Sequence, residues 1–491
     1  MIDTKALRSR VLDLAIQGKL TEQLAEDGTA EELYAEIQAE KQRLIQEGML
    51  KKEKPLPEIK QEEVPFEIPE NWKYVRFGEI AQVISGTSYK KHEISLSGIR
   101  ILRGGNIVGS EIVYADNDVF LPQEFYAEEK AIKSGDILIV ASTGSDTGIG
   151  RAGIVKESDN SAQIGAFLRI IRTLAYDIAE YTGLFFLSNQ YTQHIRAQAK
   201  GTNINNVKEA YITQMIFPLP PLAEQKRIVA RVEEIFRLLD TIDAAQEQYA
   251  ADAESLKAKL ITLGIQGRLT EQLASDGTAE ELYQQIQAEK DTIIQERRGR
   301  KDNQIKPVES DVPFEIPANW KWIRFGETGF FRKGPFGSSL TKSMFVPKKE
   351  TAIKVYEQQH AIRKDSTLGT YYISKEYFES SMSGFEVLPD DIIVSCAGTI
   401  GETYIMPSEI ERGIINQALM RITVVPSIDK KFFLYYFDAN LKENAKNESN
   451  GMAITNIPPF EVLKNWYFPL PPLAEQKRIA DRLEELLGAL G

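Results

Sequence analysis

From Ile228 the apolar positions run Val232, Ile235, Leu239, Ile242, Tyr249, Ala253, Leu256, Leu260 and Leu263, in steps alternating four and three, with Gln246 the one polar member of the series. A seam with that period predicts a long helix of coiled-coil type. The prolines of FPLPPL just before it stop a strand and suit the first turn of a helix. The helix should close near Gly264–Gly267. Its 36 residues from Ile228 to Leu263 would span about 54 Å at about 1.5 Å per residue. A shorter helix is predicted in TAEELYQQIQAEKDTIIQER, where Thr278 and Glu281 have capping-box spacing, and Thr29 and Glu32 repeat that spacing earlier in the chain. Elsewhere the period changes to that of strands. GDILIVASTG (Gly135–Gly144) and DDIIVSCAG (Asp390–Gly398) are apolar, β-rich runs entering a glycine turn.

These patterns occur twice because the chain is a repeat. IQGKLTEQLAEDGTAEELYAEIQAEK from Ile16 returns as IQGRLTEQLASDGTAEELYQQIQAEK from Ile265. VPFEIPENWKYVRFGE from Val64 returns as VPFEIPANWKWIRFGE from Val312, and FPLPPLAEQKRIVARVEEI from Phe217 returns as FPLPPLAEQKRIADRLEEL from Phe468. Between the matched blocks lie two segments of similar length that scarcely agree, yet share a skeleton: IGAFLRII (Ile164–Ile171) parallels NQALMRIT (Asn416–Thr423). Each half therefore holds a variable, strand-containing domain framed by constant helices. Ile479, Leu483, Leu486 and Leu490 match the start of the central seam, and Leu7, Val11 and Leu14 match its end. The second helical copy is thus split between the two ends of the chain, which makes a cyclically permuted repeat with pseudo-twofold character and antiparallel helices. The expected fold class is α+β, with segments 1–63 (helical block and linker), 64–220 (variable domain), 221–311 (coiled-coil helix, helical block and linker), 312–470 (variable domain) and 471–491 (coiled-coil helix). The connectors KKEKPLPEIKQEE (Lys51–Glu63) and RRGRKDNQIKPVESD (Arg297–Asp311) read as solvated, charged hinges.

Composition limits the chemistry. Cys396 is the only cysteine, so neither an intrachain disulfide nor a cysteine-rich zinc site is expected, and His92, His194 and His360 match no metal-binding spacing. No apolar run reaches the ~18–20 residues of a membrane span, and MIDTKALRSR is followed by no secretory apolar region. A reduced, cytoplasmic, metal-free protein is expected. The net charge of −12 is unusual for a chain that would bind nucleic acid, but its distribution is uneven. Val64–Phe217 carries 15 Lys and Arg against 17 Asp and Glu, and Val312–Phe468 carries 18 against 18. Most of the excess of acid over base lies outside the variable segments.

Several strings imitate catalytic motifs. TGSDTGIG (Thr143–Gly150) has the spacing of a dinucleotide loop, but its counterpart AGTIGE (Ala397–Glu402) lacks it. NIPPF (Asn456–Phe460) resembles the adenine-gripping loop of amino-methyltransferases, with Ile457 inserted, and NNVKE (Asn205–Glu209) stands in its place in the first copy. No phosphate loop of the GxxxxGK[ST] type occurs, and Glu58–Lys60 falls in a linker. A catalytic centre is not expected.

The duplicated PLPPLAEQKRI (Pro218–Ile228, Pro469–Ile479), the paired VPFEIPxNW runs, GPFGSSL (Gly334–Leu340), KVYEQQHAI (Lys354–Ile362) and INQAL (Ile415–Leu419) together resemble the specificity subunit of Type I restriction–modification systems over essentially the whole chain. The resemblance implies that each variable domain reads one half of a bipartite double-stranded DNA site while the helices set the interval. It further implies two methyltransferase subunits bound to the helical regions and restriction subunits joining them, with S-adenosylmethionine, ATP and Mg held on those partners and no cofactor on this chain. Side chains suited to base edges and phosphates are Lys90, Lys91, Arg103, Arg151, Lys200, Asn203 and Asn205 in the first domain. In the second they are Lys333, Ser338, Lys342, Gln358, Gln359, His360 and Asn416. Leu222, Glu224, Gln225 and Arg227, with their repeats Leu473, Glu475, Gln476 and Arg478, are the candidate partner contacts. SGTSYKKH (Ser85–His92) replaces the GPFGSSL turn in the first domain, so contacts do not transfer position by position. Two other readings remain open at this level: a coiled-coil adaptor, and a methyltransferase or nuclease with unrecognised motifs.

Overall fold

The heptad seam forms one helix, Leu222–Ile265, closed by Gly267 in the left-handed region at φ +68°. In this computed structural model residues 1–52, 54–145, 147–199, 205–296, 305–448 and 457–490 are described. The chain divides into two compact units, Met1–Gln248 and Tyr249–Gly491, and the division falls inside the long helix. The first unit pairs the helix Thr4–Ile16 with the first half of the long helix. Thr4 bonds Asp243 at 2.5 Å, Arg8 bonds Asp240 at 2.7 Å and Thr21 bonds Glu224 at 3.2 Å, so the two run antiparallel. The second unit builds the same pair from other segments. Gly264 lies against Ile479 and Leu483 of the helix Leu473–Ala489, and Leu260 and Ile261 join their core. Each unit thus completes a helical pair by drawing on a cyclically shifted part of the chain. The capped helices Ala30–Gln46 and Ala279–Gln295 form as expected, with Thr29 and Thr278 accepting from the backbone N–H of Glu32 and Glu281.

The three repeated blocks meet at one buried carboxylate in each unit. Glu224 is fully buried and accepts hydrogen bonds from the Trp72 indole at 2.8 Å, Gln23 Nε2 at 2.9 Å and the Thr21 hydroxyl. Glu475, equally buried, accepts from Trp320 and Gln272, both at 2.9 Å. A turn behind each glutamate an arginine closes the contact: Arg227 on Asp27 at 2.6 Å and the Glu22 carbonyl at 3.0 Å, Arg478 on Asp276 at 2.6 Å and the Glu271 carbonyl at 3.0 Å. Gln225 and Gln476 are buried and donate to the Pro220 and Pro471 carbonyls. Gly18 and Gly267 take positive φ where a Cβ would lie 2.5 Å from Pro69 and Pro317, so only glycine allows the helical block to sit on the VPFEIPxNW segment. This corrects the expectation for Glu224, Gln225, Glu475 and Gln476. Glu224, Glu475 and Gln476 spend their polar atoms inside the unit, Gln225 Oε1 is buried without a hydrogen-bond partner among the described residues, and no surface remains on the four for a partner. Arg227 and Arg478 are only partly exposed, with guanidinium groups committed to the same node, and Leu222 and Leu473 pack on the unit cores.

The variable regions share a topology that their sequences conceal. Among the described residues of the first unit, one sheet runs in the order Ala81–Ser85, Leu168–Thr173, Ile137–Val140, Ala152–Ile154, extended by the hairpin Glu111–Ile112 and Ile107–Val108. The other runs Val119–Leu121, Ile99–Leu102, Asp159–Ile164, Ala131–Ile132. In the second unit the orders are Gly329–Lys333, Leu419–Val424, Ile392–Ser395, Thr403–Ile405 and Tyr372–Ile373, Ile353–Tyr356, Gly413–Ile415, Glu386–Val387. The same neighbours pair, including a parallel pair that both units share, Ile99–Leu102 with Asp159–Ile164 and Ile353–Tyr356 with Gly413–Ile415, and the first unit adds a parallel contact of Ile154 with Glu111. A two-stranded ribbon, Lys73–Arg76 with Ile216–Leu219 and Lys321–Arg324 with Tyr467–Leu470, carries the chain from the constant part into the variable part and back. Pro218 and Pro469 sit in those ribbons, where one edge needs no partner.

Residues 297–304 of the second linker lie outside the described residues, but the described parts of both linkers are not free hinges. Arg76, 5% exposed, donates to the Pro57 and Glu58 carbonyls at 3.0 Å, to the Gln214 carbonyl at 2.6 Å and to the Glu63 carboxylate at 2.7 Å. Arg324 holds the Pro307 carbonyl at 2.8 Å and the Asn465 carbonyl at 2.8 Å. A guanidinium presents five fixed donors, and burial makes each carbonyl acceptor worth keeping, so the connector is clipped to the ribbon.

Glu224→Ala, which leaves the buried Trp72 indole N–H without an acceptor, should cost roughly 1–3 kcal/mol in denaturant unfolding, with Glu475→Ala doing the same to Trp320 and Glu224→Gln costing less. The arginine hydrogen bonds hold the Asp27 and Asp276 carboxyls below the ordinary range. Their stabilisation is therefore complete above the unfolded value of about 4 and is lost as pH falls through the lower folded values. Asp27→Asn should remove that part of the acid lability, read as a flatter dependence of the unfolding midpoint on pH below about 4.

Candidate nucleic-acid interface

At one end of the first variable domain the strand ends and their loops close on one another through backbone contacts. Gly86 follows the strand Ala81–Ser85 and lies so close to Gly165 that a Cβ would sit 2.1 Å from the Gly165 carbonyl oxygen. Thr87 N–H donates to Ile164 at 2.8 Å, Ala166 N–H to Thr87 at 3.0 Å and Gly165 N–H to Leu102 at 2.9 Å. Ala141 N–H donates to Phe167 at 2.8 Å, and Val207 N–H donates to Ala141 at 2.7 Å. The loops at 86–92, 103–106, 141–145, 147–151, 165–167 and 205–207 therefore form one surface. Lys90, Lys91 and Arg151 are exposed on it, and Arg103 is partly exposed. Arg151 bonds the Gly104 carbonyl and Arg103 the Asn117 carbonyl, which holds both guanidinium groups near the loop backbone. The backbone of Asn205 pairs with Thr143. Lys200 and Asn203 lie outside the described residues. Sequence reasoning passed over Arg196, bonded to the Thr147 carbonyl, and Phe167, hidden as an apolar position in a strand run.

The described residues of TGSDTGIG, all but Asp146, fall on this surface as a hairpin connection. It joins Ile137–Val140 to the antiparallel Ala152–Ile154, and Gly150 N–H donates back to Val140 at 2.8 Å. A dinucleotide loop needs a helix start after the strand, and a strand follows instead.

The second domain assembles the matching surface from unlike residues. Gly334 presses on Asn416, where a Cβ would sit 1.8 Å from the carbonyl oxygen, and its N–H donates to Leu419 at 2.9 Å. Gly86 and Gly334 thus hold the same place, and SGTSYKKH and GPFGSSL are the same loop. Cys396 N–H donates to Ala418 at 2.8 Å and Asn416 N–H to Tyr356 at 2.9 Å, while Gln358 reaches the Ala397 carbonyl. Lys333, Ser338 and Lys342 are exposed. Gln358 and Gln359 are partly exposed, the latter bonded to Glu357 at 2.9 Å. Asn416 uses its side-chain oxygen to accept from Ala418 N–H at 3.0 Å, which sets the turn and leaves its amide nitrogen as the group directed elsewhere.

His360 does not belong to the surface. It is buried against Tyr356, with Nδ1 accepting from Glu357 N–H at 2.8 Å and Nε2 donating to the Leu368 carbonyl at 2.7 Å. Both ring nitrogens are used, so it builds the loop and cannot reach a base. Burial pushes the Cys396 thiol up to about 12, with Lys333 pulling weakly the other way. A thiol with that pKa is protonated at neutral pH and is a poor nucleophile. What the surface offers is cations, amides and hydroxyls on loops held by a rigid pair of sheets, an arrangement suited to contacting phosphates and base edges.

A family model described as the Type I restriction modification DNA specificity domain matches residues 69–248 and 346–490. Among curated proteins, the specificity subunit of the Type I restriction enzyme EcoAI from Escherichia coli is 25% identical, over 98% of this chain and 89% of its own length. The EcoEI specificity subunit, also from Escherichia coli, is 24% identical over 98% and 88%. Among solved structures, a chain from a study of complex assembly and conformational transition of the type I R-M system has a TM-score of 0.57 at 20% identity, covering 87% of this chain and 92% of that one. The HsdS subunit from Thermoanaerobacter tengcongensis has a TM-score of 0.50 at 21% identity, covering 87% and 93%.

Removing Lys90 and Lys91 together should weaken duplex binding for every sequence alike and flatten the plot of log affinity against log salt by about 0.9 for each phosphate that is no longer neutralised. His360→Ala should instead lower the melting temperature and leave that slope unchanged. Anisotropy titrations at several salt concentrations separate the two.

Proposed function

The chain belongs to the DNA specificity subunits of Type I restriction–modification systems, and on that premise we propose how its parts divide the work. Each variable domain reads one half of a bipartite, asymmetric double-stranded DNA site through its own loop surface. The helices set the interval between half-sites and carry two methyltransferase subunits. Those subunits, and the restriction subunits that join them, hold S-adenosylmethionine, ATP and Mg and carry out adenine methylation and cleavage, so this chain selects the sequence and catalyses nothing itself. The observation that carries the reading is the pairing of one topology with two unlike loop surfaces. Identical scaffolds can offer a partner equivalent seats while presenting different side chains to two different half-sites.

The buried node cannot be the partner seat, but each unit exposes an equivalent apolar position. Leu7 on Thr4–Ile16 and Leu256 on the long helix occupy the same repeat position, and each is 43% exposed. Leucines left open at the same point of both helical pairs suit a subunit that binds twice.

Mapping N6-methyladenine across the genome of cells expressing this chain with its methyltransferase should reveal one bipartite motif. Replacing Lys333, Lys342 and Gln358 by alanine should relax or abolish one half of that motif, and replacing Arg103 and Arg151 should affect the other half. Changes in both halves from either set would refute the assignment of one domain to one half. Leu7→Asp and Leu256→Asp should each reduce the methyltransferase stoichiometry from two to one by light scattering, and the double variant should bind none.

A further inference from the structure

Each loop surface carries a bare phenylalanine. Phe336 is 86% exposed and Phe167 is 66% exposed. Their backbones are fixed while their rings are not. The Phe336 carbonyl accepts from Ser339 N–H at 2.8 Å, and the Phe167 carbonyl accepts from Ala141 N–H at 2.8 Å. The scaffold does not require either ring. Gly334 superposes in role on Gly86, so Phe336 stands where the first domain has Ser88. Ala141 N–H donates to Phe167 as Cys396 N–H donates to Ala418, so Phe167 stands where the second domain has alanine. Two domains of one topology thus bring a large apolar ring to the same end from two different loops, at positions where the twin fold is satisfied by a small residue.

A ring kept in water on a polar, cation-bearing surface gains apolar burial when a ligand covers it. This inference rests on the reading of that surface as the face that meets DNA. Lys333, Ser338 and Lys342 flank Phe336 in the chain and are exposed like it, and Arg103 and Arg151 share the surface of Phe167. Lysine, arginine and serine pair with base edges and phosphates, and all four base pairs can be told apart only in the major groove. The base edges of that groove present a single apolar group, the thymine C5-methyl. We infer that Phe336 and Phe167 are specificity-determining residues, each laying its ring on the C5-methyl of one thymine in the half-site that its own domain reads. The polar residues then set register and read hydrogen-bonding edges, while the rings distinguish thymine from cytosine by an apolar contact.

The test uses the full-length chain with its methyltransferase subunit and duplexes carrying the motif found in the wild-type methylome. Thymines are replaced one at a time by deoxyuridine, which removes the methyl group and nothing else. In each half-site one replacement should weaken wild-type binding by about fourfold, the value of one buried methyl group. Phe336→Ala should bind the unmodified duplex roughly tenfold more weakly and lose all sensitivity to deoxyuridine in one half-site only. Phe167→Ala should do so in the other half-site, and Phe336→Leu should keep part of the sensitivity. Melting temperatures should match the wild type, since both rings are exposed. The inference is overturned if deoxyuridine is tolerated everywhere, if the sensitive thymine stays sensitive in both alanine variants, or if a half-site contains no thymine on either strand. Loss of 2-aminopurine stacking without a methyl effect would also overturn it, in favour of a wedge between bases. A wild-type complex that methylates no bipartite motif would instead bring down the reading of the chain as a two-domain selector, an outcome decided before any variant is made.

Discussion

A carboxylate taken out of water must be surrounded by donors, and that requirement organises the constant part of this protein. Glu224 and Glu475 sit in the first turn of a helix, and the donors come from segments far away in the chain: an indole from the domain boundary and an amide from the loop after the preceding helix. Losing any one donor leaves a buried charge short of a partner. The glutamate, tryptophan, glutamine, glycine and proline at this meeting point therefore depend on one another, and these are the residues on which the two halves of the chain agree. The repeat is near-identical where the chain must converge and free to differ beyond the ribbon.

Beyond the ribbon the requirement is weaker, being only that strands pair in a given order. The two variable domains keep that order with different interiors. The cross-strand pair Ile84 and Ile170 in the first corresponds to Arg332 and Arg421 in the second. The isoleucines join an apolar core, whereas Arg332 lies over the Phe385 ring and Arg421 donates to the Glu386 carbonyl. Register and strand order can survive such an exchange because the backbone ladder carries them, while surface chemistry is left to change. That separation lets one architecture present two unlike surfaces.

The electrostatics follow the same division. The loop ends of near-neutral domains supply local cations on a rigid frame, while the acidic excess sits on the helices and linkers. Local density at the contacting face governs attraction to phosphate more than the sum over the chain does.

The sequence by itself determined the repeat, its cyclic shift, the long helix with its ends, the capped helices and the strands on either side of the glycine turns. All of these are local: heptad spacing, capping chemistry and alternation act between residues a few positions apart. It also placed most of the candidate contacts on loops that do come together, because strand ends at matching repeat positions must share an end of a sheet. What only the tertiary structure decided is which polar residues are spent inside the fold. PLPPLAEQKR reads as a conspicuous motif and so as a partner seat, yet its glutamate faces inward to donors about 150 to 200 positions away in the chain, and its glutamine is buried beside it. The linkers read as free because proline and charge dominate them, yet Arg76 and Arg324 hold their carbonyls. His360 reads as a contact, yet both its nitrogens are bonded within its own loop. Burial and hydrogen-bond partnership are properties of which segments meet, and no period or propensity along the chain encodes them.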